Sequence, residues 1–208
     1  MIGVYDYTVL ATYLSLAFGV SGILAAMNGS PYSALLCLMV SGLLDAFDGR
    51  IARTKKNRTE QEKRFGIQID SLNDVVCFGV LPGVIGASLG GGEWWLRASV
   101  LFYILAALIR LAYFNVTEEE RQSATNEHRH YYLGVPVTAA SFVMPLFWAL
   151  PLRLGSAPAV IYAVGLTLLD FLFIAPLRIP KPGLKGILCM VLLGAAELYM
   201  MFYGAMPL

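Results

Sequence analysis

The chain has 208 residues, of which 58% are hydrophobic and only 14% are charged. An average soluble domain is about 45–50% apolar and about 25% charged, so this composition excludes a disordered chain and argues against an ordinary soluble globule. Fifteen basic and fourteen acidic residues give a net charge of +1, which offers no basis for nucleic-acid binding. The length suits one compact membrane bundle, and we predict a single domain over residues 1–208.

Long apolar stretches follow one another along the chain in a pattern typical of transmembrane helices. A helix needs about 20 mainly apolar residues to cross a bilayer, and glycine- and proline-containing turns separate the stretches. We predict an all-α, polytopic membrane helix bundle with about six to eight transmembrane helices. Because no basic segment precedes the first stretch, we expect it to be a span and not a signal peptide. The best count is seven spans, over residues 7–27, 31–53, 66–90, 94–115, 134–150, 158–176 and 184–203.

Basic residues are distributed unevenly between the loops that this pattern defines. Thirteen lie at the second-to-third, fourth-to-fifth and sixth-to-seventh connections, whereas only Arg97 and Arg153 lie in the opposite loops. Since short cytoplasmic loops carry the excess of lysine and arginine, we expect the first set of loops and the N-terminus to face the cytoplasm. The predicted location is the cytoplasmic membrane.

Four aspartates interrupt the apolar pattern where the second span ends and the third begins. Asp45 and Asp48 are three residues apart, and Asp70 and Asp74 are four apart, so each pair shares a helix face. The two helices are antiparallel neighbours, which lets their acidic faces meet about one to two turns below the membrane surface. Ionisable groups at such a depth are costly and usually functional.

Four carboxylates converge only if some are protonated or if cations lie between them. Carboxylate oxygens favour Mg²⁺, Mn²⁺ or Ca²⁺, and paired metals about 3.5–4 Å apart are a recurring arrangement for phosphoryl displacement. Gly49 and Gly66 flank the aspartates and would let a ligand approach the backbone closely. The alternative is that the aspartates only pair with Arg50 and Arg53, which suits one such pair better than two facing pairs.

The aspartates belong to a longer pattern, Asp45-x-x-Asp48-Gly49-x-x-Ala52-Arg53 followed by Gly66-x-x-x-Asp70-x-x-x-Asp74. This pattern resembles the signature of the CDP-alcohol phosphatidyltransferase family. Twelve residues, 54–65, separate Arg53 from Gly66, about four more than the family usually has. Four residues make about one helical turn, so they lengthen a cytoplasmic loop without altering either acidic face.

A second stretch resembles the phosphatidylserine synthase branch of the same family. Residues 110–115 read Arg-Leu-Ala-Tyr-Phe-Asn, and residues 133–140 read Leu-Gly-Val-Pro-Val-Thr-Ala-Ala. Tyr113 and Thr138 replace an arginine and a proline of the branch pattern. These changes concern the specificity for the headgroup alcohol more than membership of the family. The resemblance covers residues 31–140.

The resemblance implies transfer of the phosphatidyl group of CDP-diacylglycerol, a membrane lipid, to L-serine with release of CMP. It implies two divalent cations, Mg²⁺ or Mn²⁺, as cofactors. One cation is assigned to Asp45, Asp48 and Asp70, and the other to Asp45, Asp70 and Asp74. Asp74 also matches the general base that takes the proton of the serine hydroxyl. A homodimer is expected from the family alone.

The remaining site predictions concern the nucleotide and the acceptor alcohol. Gly49, Ala52, Arg53 and Gly66 are assigned to the nucleotide and its diphosphate, where small residues admit the base and an arginine matches phosphate oxygens. Serine needs a cationic fork for its carboxylate and an oxygen acceptor for its ammonium group. We assign these roles to Arg110 and Asn115.

Two alternatives stay open at this point. The first keeps the chemistry but changes the acceptor or donor, to glycerol phosphate, inositol phosphate or an archaeal ether lipid. The second is a divalent-cation transporter that uses carboxylates within the membrane. A transporter usually binds its ion near the bilayer midplane, whereas these aspartates lie toward one face.

Overall fold

A computed structural model shows the chain as a bundle of apolar helices and describes residues 3–52, 54–90, 92–124, 131–154, 157–180 and 184–204. A π-helical segment, Val75–Val80, joins the third helix to the fourth, so the described residues form seven helical rods. The helices are α1 (Leu10–Met27), α2 (Pro31–Ala52), α3 (Glu60–Asp74), α4 (Leu81–Leu89), α5 (Trp94–Ala124), α6 (Ala140–Leu154), α7 (Pro158–Ile174) and α8 (Leu184–Gly204).

The length and composition of these rods suit a lipid bilayer. Leu10–Met27, Glu60–Leu89 and Trp94–Glu120 are each long and apolar enough to cross a membrane. Shorter apolar helices lie at Val137–Pro151 and Pro158–Ile174. Large apolar side chains such as Leu101 and Phe171 point outward, where acyl chains rather than water would surround them. The predicted all-α membrane bundle is confirmed.

The third rod begins earlier than the sequence pattern predicted, at Glu60 instead of Gly66. The reason is a capping box, in which the Thr59 hydroxyl accepts the Glu62 N–H at 3.2 Å and the Glu62 carboxylate accepts the Thr59 N–H at 2.7 Å. This reciprocal pair satisfies backbone donors that the first turn of a helix leaves open. The helix therefore starts in the water-facing loop and enters the bundle already formed.

The connection between α5 and α6 also differs from the prediction of a span beginning at Gly134. Strand β1 (Tyr131–Leu133) pairs antiparallel with strand β2 (Arg178–Pro180), which joins the loops before α6 and α8 at one end of the bundle. Gly134 follows β1 with a φ of +79°, a conformation that favours glycine, and its N–H donates to the Leu177 carbonyl at 2.6 Å. Regular α-helix therefore resumes only at Ala140.

Pro82 interrupts the rod formed by α3 and α4, and polar side chains compensate for the interruption. Proline has no N–H to donate to the carbonyl four residues earlier, which is that of Phe78. The Tyr103 hydroxyl on α5 donates to this carbonyl at 2.5 Å, and the Tyr162 hydroxyl on α7 donates to the Pro82 carbonyl at 3.2 Å. The irregular segment is thus held in the core by α5 and α7.

Glycines allow the helices around the predicted site to approach closely. A Cβ at Gly22 of α1 would lie 2.9 Å from the Cys37 Cβ on α2 and 2.9 Å from a Leu81 methyl on α4. A Cβ at Gly19 would meet the Cys77 thiol, and one at Gly42 of α2 would meet the Ser141 side chain on α6. These close contacts fix α2 between α1 and α6 immediately before the turn that carries Asp45.

Candidate active site

The aspartates of α3 lie together with those in the last two turns of α2. One carboxylate oxygen from each of Asp45, Asp70 and Asp74 lies within 4.8 Å of the other two. Asp74 is only 8% exposed, and Asp45 and Asp70 are partly buried. The i, i+4 spacing on α3 directs two carboxylates toward α2, and this arrangement produces the cluster.

Asp48 lies at the edge of this cluster. It is one helical turn beyond Asp45 on α2, its carboxylate faces that of Asp70, and its Oδ2 accepts from the Thr12 hydroxyl of α1 at 3.4 Å. All four predicted metal ligands are therefore neighbours, although only Asp45, Asp70 and Asp74 each bring an oxygen within 4.8 Å of the other two.

Two buried oxygens of the cluster have no partner among the described residues. Asp70 Oδ1 and Asp74 Oδ1 are inaccessible to solvent and make no hydrogen bond. None of the four aspartates forms an ion pair within the described ranges, and Arg50 is exposed. Buried carboxylate oxygens need a donor or a cation, and oxygen ligands suit hard divalent ions. The residues present therefore fit a divalent-cation site.

A buried polar network holds α1, α2 and the third rod together next to the aspartates. The Ser15 and Ser41 hydroxyls lie 2.7 Å apart, and the Ser41 hydroxyl also donates to the Ser15 carbonyl at 2.9 Å. The Asn73 amide donates to the Ser15 hydroxyl at 3.2 Å and accepts from the Cys77 thiol at 3.2 Å. Ser41 lies one turn before Asp45, and Asn73 directly precedes Asp74, so this network positions both helices that carry the carboxylates.

Charged residues fasten the loop between α2 and α3 to the N-terminal segment. Lys55 Nζ lies 2.7 Å from Asp6 Oδ2 and 2.8 Å from Glu62 Oε1. The hydrogen bond from Lys55, aided by that from the Thr8 hydroxyl, lowers the pKa of Asp6 to about 2. Asp6 therefore stays charged at any physiological pH, and the loop is held against the start of α1 under the same conditions.

The residues assigned to the nucleotide occupy different surroundings. Gly49 is exposed, and a Cβ built there would meet nothing within 4 Å, so the helix face beside Asp48 is open to a ligand. Ala52 ends α2 and is partly exposed. A Cβ on Gly66 would lie 2.7 Å from Arg58 Nη2. Arg53 lies outside the described residues.

Arg110 and Asn115 lie on different faces of α5. Arg110 is 6% exposed, and it donates from Nε to the Val135 carbonyl at 3.3 Å and from Nη2 to the Gly134 carbonyl at 3.5 Å. These bonds join α5 to the segment before α6. Asn115 faces α3 instead, where its Oδ1 accepts from the Ser71 hydroxyl at 2.8 Å. Asn115 is thus connected to the residue that follows Asp70.

Sequence analysis missed the side chains that position the aspartates. Ser15, Ser41 and Asn73 are small polar residues in apolar spans, a type that often bonds across membrane helices. Ser41 lies four residues before Asp45, and Asn73 lies three residues after Asp70, so helical spacing from these two aspartates was a signal that could have identified both residues. Nothing in the sequence indicated that Lys55 would pair with Asp6, since 48 residues intervene.

Comparison with known proteins agrees with this geometry. Residues 8–174 match the sequence profile of the CDP-alcohol phosphatidyltransferases. Two relatives are named CDP-diacylglycerol–serine O-phosphatidyltransferase: one from Helicobacter pylori is 34% identical over 68% of this chain and 56% of its own length, and one from Mycobacterium bovis is 30% identical over 69% and 49%. A third, named archaetidylserine synthase, from Methanothermobacter thermautotrophicus, is 29% identical over 67% and 56%.

The fold and the acidic cluster are those of a membrane-embedded site with hard oxygen ligands. With the profile match extending from α1 to the end of α7, the chain belongs to the CDP-alcohol phosphatidyltransferase family. It spans about half the length of the curated relatives it matches.

Asp70→Asn tests the cation site directly. We expect the variant to lose Mn²⁺ binding, because it removes one of three carboxylates whose oxygens converge, while its thermal stability without metal stays equal or rises as like-charge repulsion falls. Metal binding is measured by titration calorimetry and stability by thermal unfolding in detergent. Glu60→Gln removes an exposed acid of the same helix and serves as the matched control. Equal Mn²⁺ affinity in wild type and Asp70→Asn would contradict the assignment.

Proposed function

We propose that the chain transfers the phosphatidyl group of CDP-diacylglycerol to L-serine, forming phosphatidylserine and releasing CMP. The observation that carries the proposal is the convergence of Asp45, Asp70 and Asp74 in the family's signature spacing. Relatives named for this reaction support serine as the acceptor. The cluster lies toward one end of the bundle, which favours a site that admits a water-soluble alcohol over an ion pathway through the midplane.

The four aspartates would hold two divalent cations, Mg²⁺ or Mn²⁺, in this proposal. Asp45, Asp48 and Asp70 would hold one, and Asp45, Asp70 and Asp74 would hold the other. Such ions stabilise charge that develops on phosphoryl oxygens during displacement. The unpartnered oxygens of Asp70 and Asp74 support this assignment because they are already desolvated and point at no protein donor among the described residues.

Asp74 is assigned a second role as general base. Its carboxylate takes the proton of the serine hydroxyl as that oxygen bonds to the lipid-linked phosphorus, and the bond from this phosphorus to the CMP oxygen breaks. A positioned base of this kind contributes about 10²–10⁴-fold. Burial of Asp74 beside Asn73, which is fixed by Ser15, limits the positions its carboxylate can take.

The nucleotide occupies the open face beside Asp48 in this proposal. Gly49 and Ala52 leave room for the cytidine, Arg53 pairs with the diphosphate, and Gly66, within α3, keeps its helix face free of a side chain of its own. The empty space around the Gly49 Cα supports the first of these roles.

The acceptor contacts are Arg110 for the serine carboxylate and Asn115 for its ammonium group. The bonds of Arg110 to the Gly134 and Val135 carbonyls hold its guanidinium in a fixed plane. The amide oxygen of Asn115 has two lone pairs, so it can accept from an ammonium group while it accepts from Ser71. A second candidate keeps the site and replaces the donor by an archaeal ether lipid, which the relative named archaetidylserine synthase favours.

Release of CMP by the purified protein in lipid nanodiscs tests the reaction. We expect CMP from CDP-diacylglycerol with L-serine and much less with glycerol phosphate or inositol phosphate, and none from Asp74→Asn. Substituting a CDP-activated ether lipid distinguishes the two donors. Activity with inositol phosphate or glycerol phosphate in place of serine would refute serine as the acceptor, and absence of CMP with every alcohol would refute the transfer itself.

Arg110→Lys tests the acceptor assignment. Lysine keeps the charge but loses the planar fork, and a charge-assisted hydrogen bond contributes about 1.5–3 kcal/mol. We expect the KM for serine to rise about tenfold or more, with little change in the KM for CDP-diacylglycerol. An equal loss toward both substrates would instead leave Arg110 with the structural role that its bonds to the Gly134 and Val135 carbonyls describe.

The orientation and assembly complete the proposal. The loop at residues 54–59 faces the cytoplasm and Glu93 faces the opposite side in this proposal, an orientation that the excess of basic residues on one side favours. An impermeant thiol reagent applied to sealed, right-side-out cells should label Glu93→Cys and spare Asn57→Cys until the cells are opened. External labelling of Asn57→Cys would reverse the orientation.

The homodimer that the family implies belongs to this proposal as well, and light scattering in detergent measures it.

A further inference from the structure

The long loop between α2 and α3 brings an arginine onto the helix face that carries the aspartates. Arg58 Nη2 donates to the Glu62 carbonyl at 3.2 Å and lies where a side chain on Gly66 would otherwise be, 2.7 Å from the position of a Cβ. Gly66 and Asp70 are i, i+4 neighbours, so the guanidinium lies about one turn, or about 6 Å along the axis, before Asp70. Arg58 belongs to none of the sequence motifs described above.

The charge of Arg58 is not compensated by the acidic residues near it. The Glu62 carboxylate is engaged by Lys55 Nζ at 2.8 Å and by the Thr59 N–H at 2.7 Å. Glu60, on the same helix, pairs with Lys63 Nζ at 2.7 Å. Within the part of the chain that the structure describes, Arg58 forms no ion pair. Its Nε is buried and has no hydrogen-bond partner there. A buried N–H of a charged group without an acceptor is unfavourable unless a ligand supplies one.

We infer that Arg58 binds the diphosphate of the nucleotide lipid, in addition to Arg53, to which the proposed function assigns the same group. This inference rests on the proposed function and adds a donor-binding residue to it. The placement follows from three observations: the guanidinium lies against Gly66, its position is fixed by the Glu62 carbonyl, and one of its donors is unsatisfied. A guanidinium presents a planar fork that matches phosphate oxygens.

Charge balance also favours a role for Arg58 in binding the diphosphate. Four ionised aspartates and two divalent cations sum to zero, and the diphosphate of a CDP-linked lipid carries two further negative charges. Placing those charges next to a partly buried carboxylate cluster without protein cations would be unfavourable. One arginine balances half of the added charge, and Arg58 together with Arg53 balances all of it.

The test compares the binding of CDP and CMP, without any acceptor alcohol so that no turnover occurs. Affinities of wild type, Arg58→Gln and Arg58→Lys are measured by titration calorimetry in the presence of Mg²⁺. We expect Arg58→Gln to weaken CDP binding about tenfold or more, which is the loss of one charge-assisted contact. CMP binding should change less, because CMP lacks the second phosphate. The CDP affinity of Arg58→Lys should lie between those of wild type and Arg58→Gln, since lysine keeps the charge but loses the planar fork.

Lys56→Gln is the matched control, because it removes the same charge from an exposed position of the same loop. Equal weakening by Lys56→Gln and Arg58→Gln would overturn the inference in favour of a general electrostatic effect. Wild-type affinity for CDP in Arg58→Gln would overturn it as well. If Arg58→Gln fails to fold, Arg58→Lys decides, and unchanged CDP binding there refutes a bidentate contact. Failure of the proposed function appears separately, as absence of CMP release by the wild-type protein with every alcohol.

Discussion

Repulsion between carboxylates is the constraint on which the rest of this structure depends. At a separation of about 4.8 Å and an effective dielectric constant of about 20, two ionised carboxylates repel each other by about 3.5 kcal/mol. Asp45, Asp70 and Asp74 form three such pairs. Hydrogen bonds between membrane helices contribute about 0.6 kcal/mol each on average, so the network of Ser15, Ser41 and Asn73 cannot by itself offset the repulsion of a fully ionised cluster.

The surrounding features are consistent with a site that is built to be completed by cations. Close packing at Gly19 and Gly22 holds α1 against the third rod, and Gly22 also packs against α2, so separation of the two helices that carry the carboxylates is opposed. The oxygens without partners on Asp70 and Asp74 also favour a cation site. Folding of the bundle therefore has to overcome the repulsion between the assembled carboxylates, and a bound cation would offset that repulsion.

The sequence was sufficient for the parts of the molecule that depend on periodicity. The seven rods follow from uninterrupted apolar stretches, and the shared faces of the two aspartate pairs follow from their spacing of three and four residues. The sequence was insufficient where a contact joins distant segments, as for Lys55 with Asp6, or Arg110 with the Gly134 carbonyl. The early start of α3 lies between these cases. The Thr59-x-x-Glu62 capping box is visible in the sequence, but the residues after it are polar, so hydropathy places the start of the span later, at Gly66.

The third rod is suited to the transfer proposed here, which needs a site at the membrane surface. A lipid donor must keep its acyl chains in the bilayer while its headgroup and the acceptor alcohol are reached from water. A helix that is capped in the loop at Thr59, passes Gly66 and Asp70, and continues through Asp74 into the apolar core crosses that boundary without a break. The loop preceding it is fastened to the segment before α1 by the ion pair of Lys55 with Asp6, and Lys55 also pairs with Glu62. Among the residues that the structure describes, Arg58 has no acidic partner. The ion pairs that order the loop therefore also determine the charge that it would present to the diphosphate of the proposed donor.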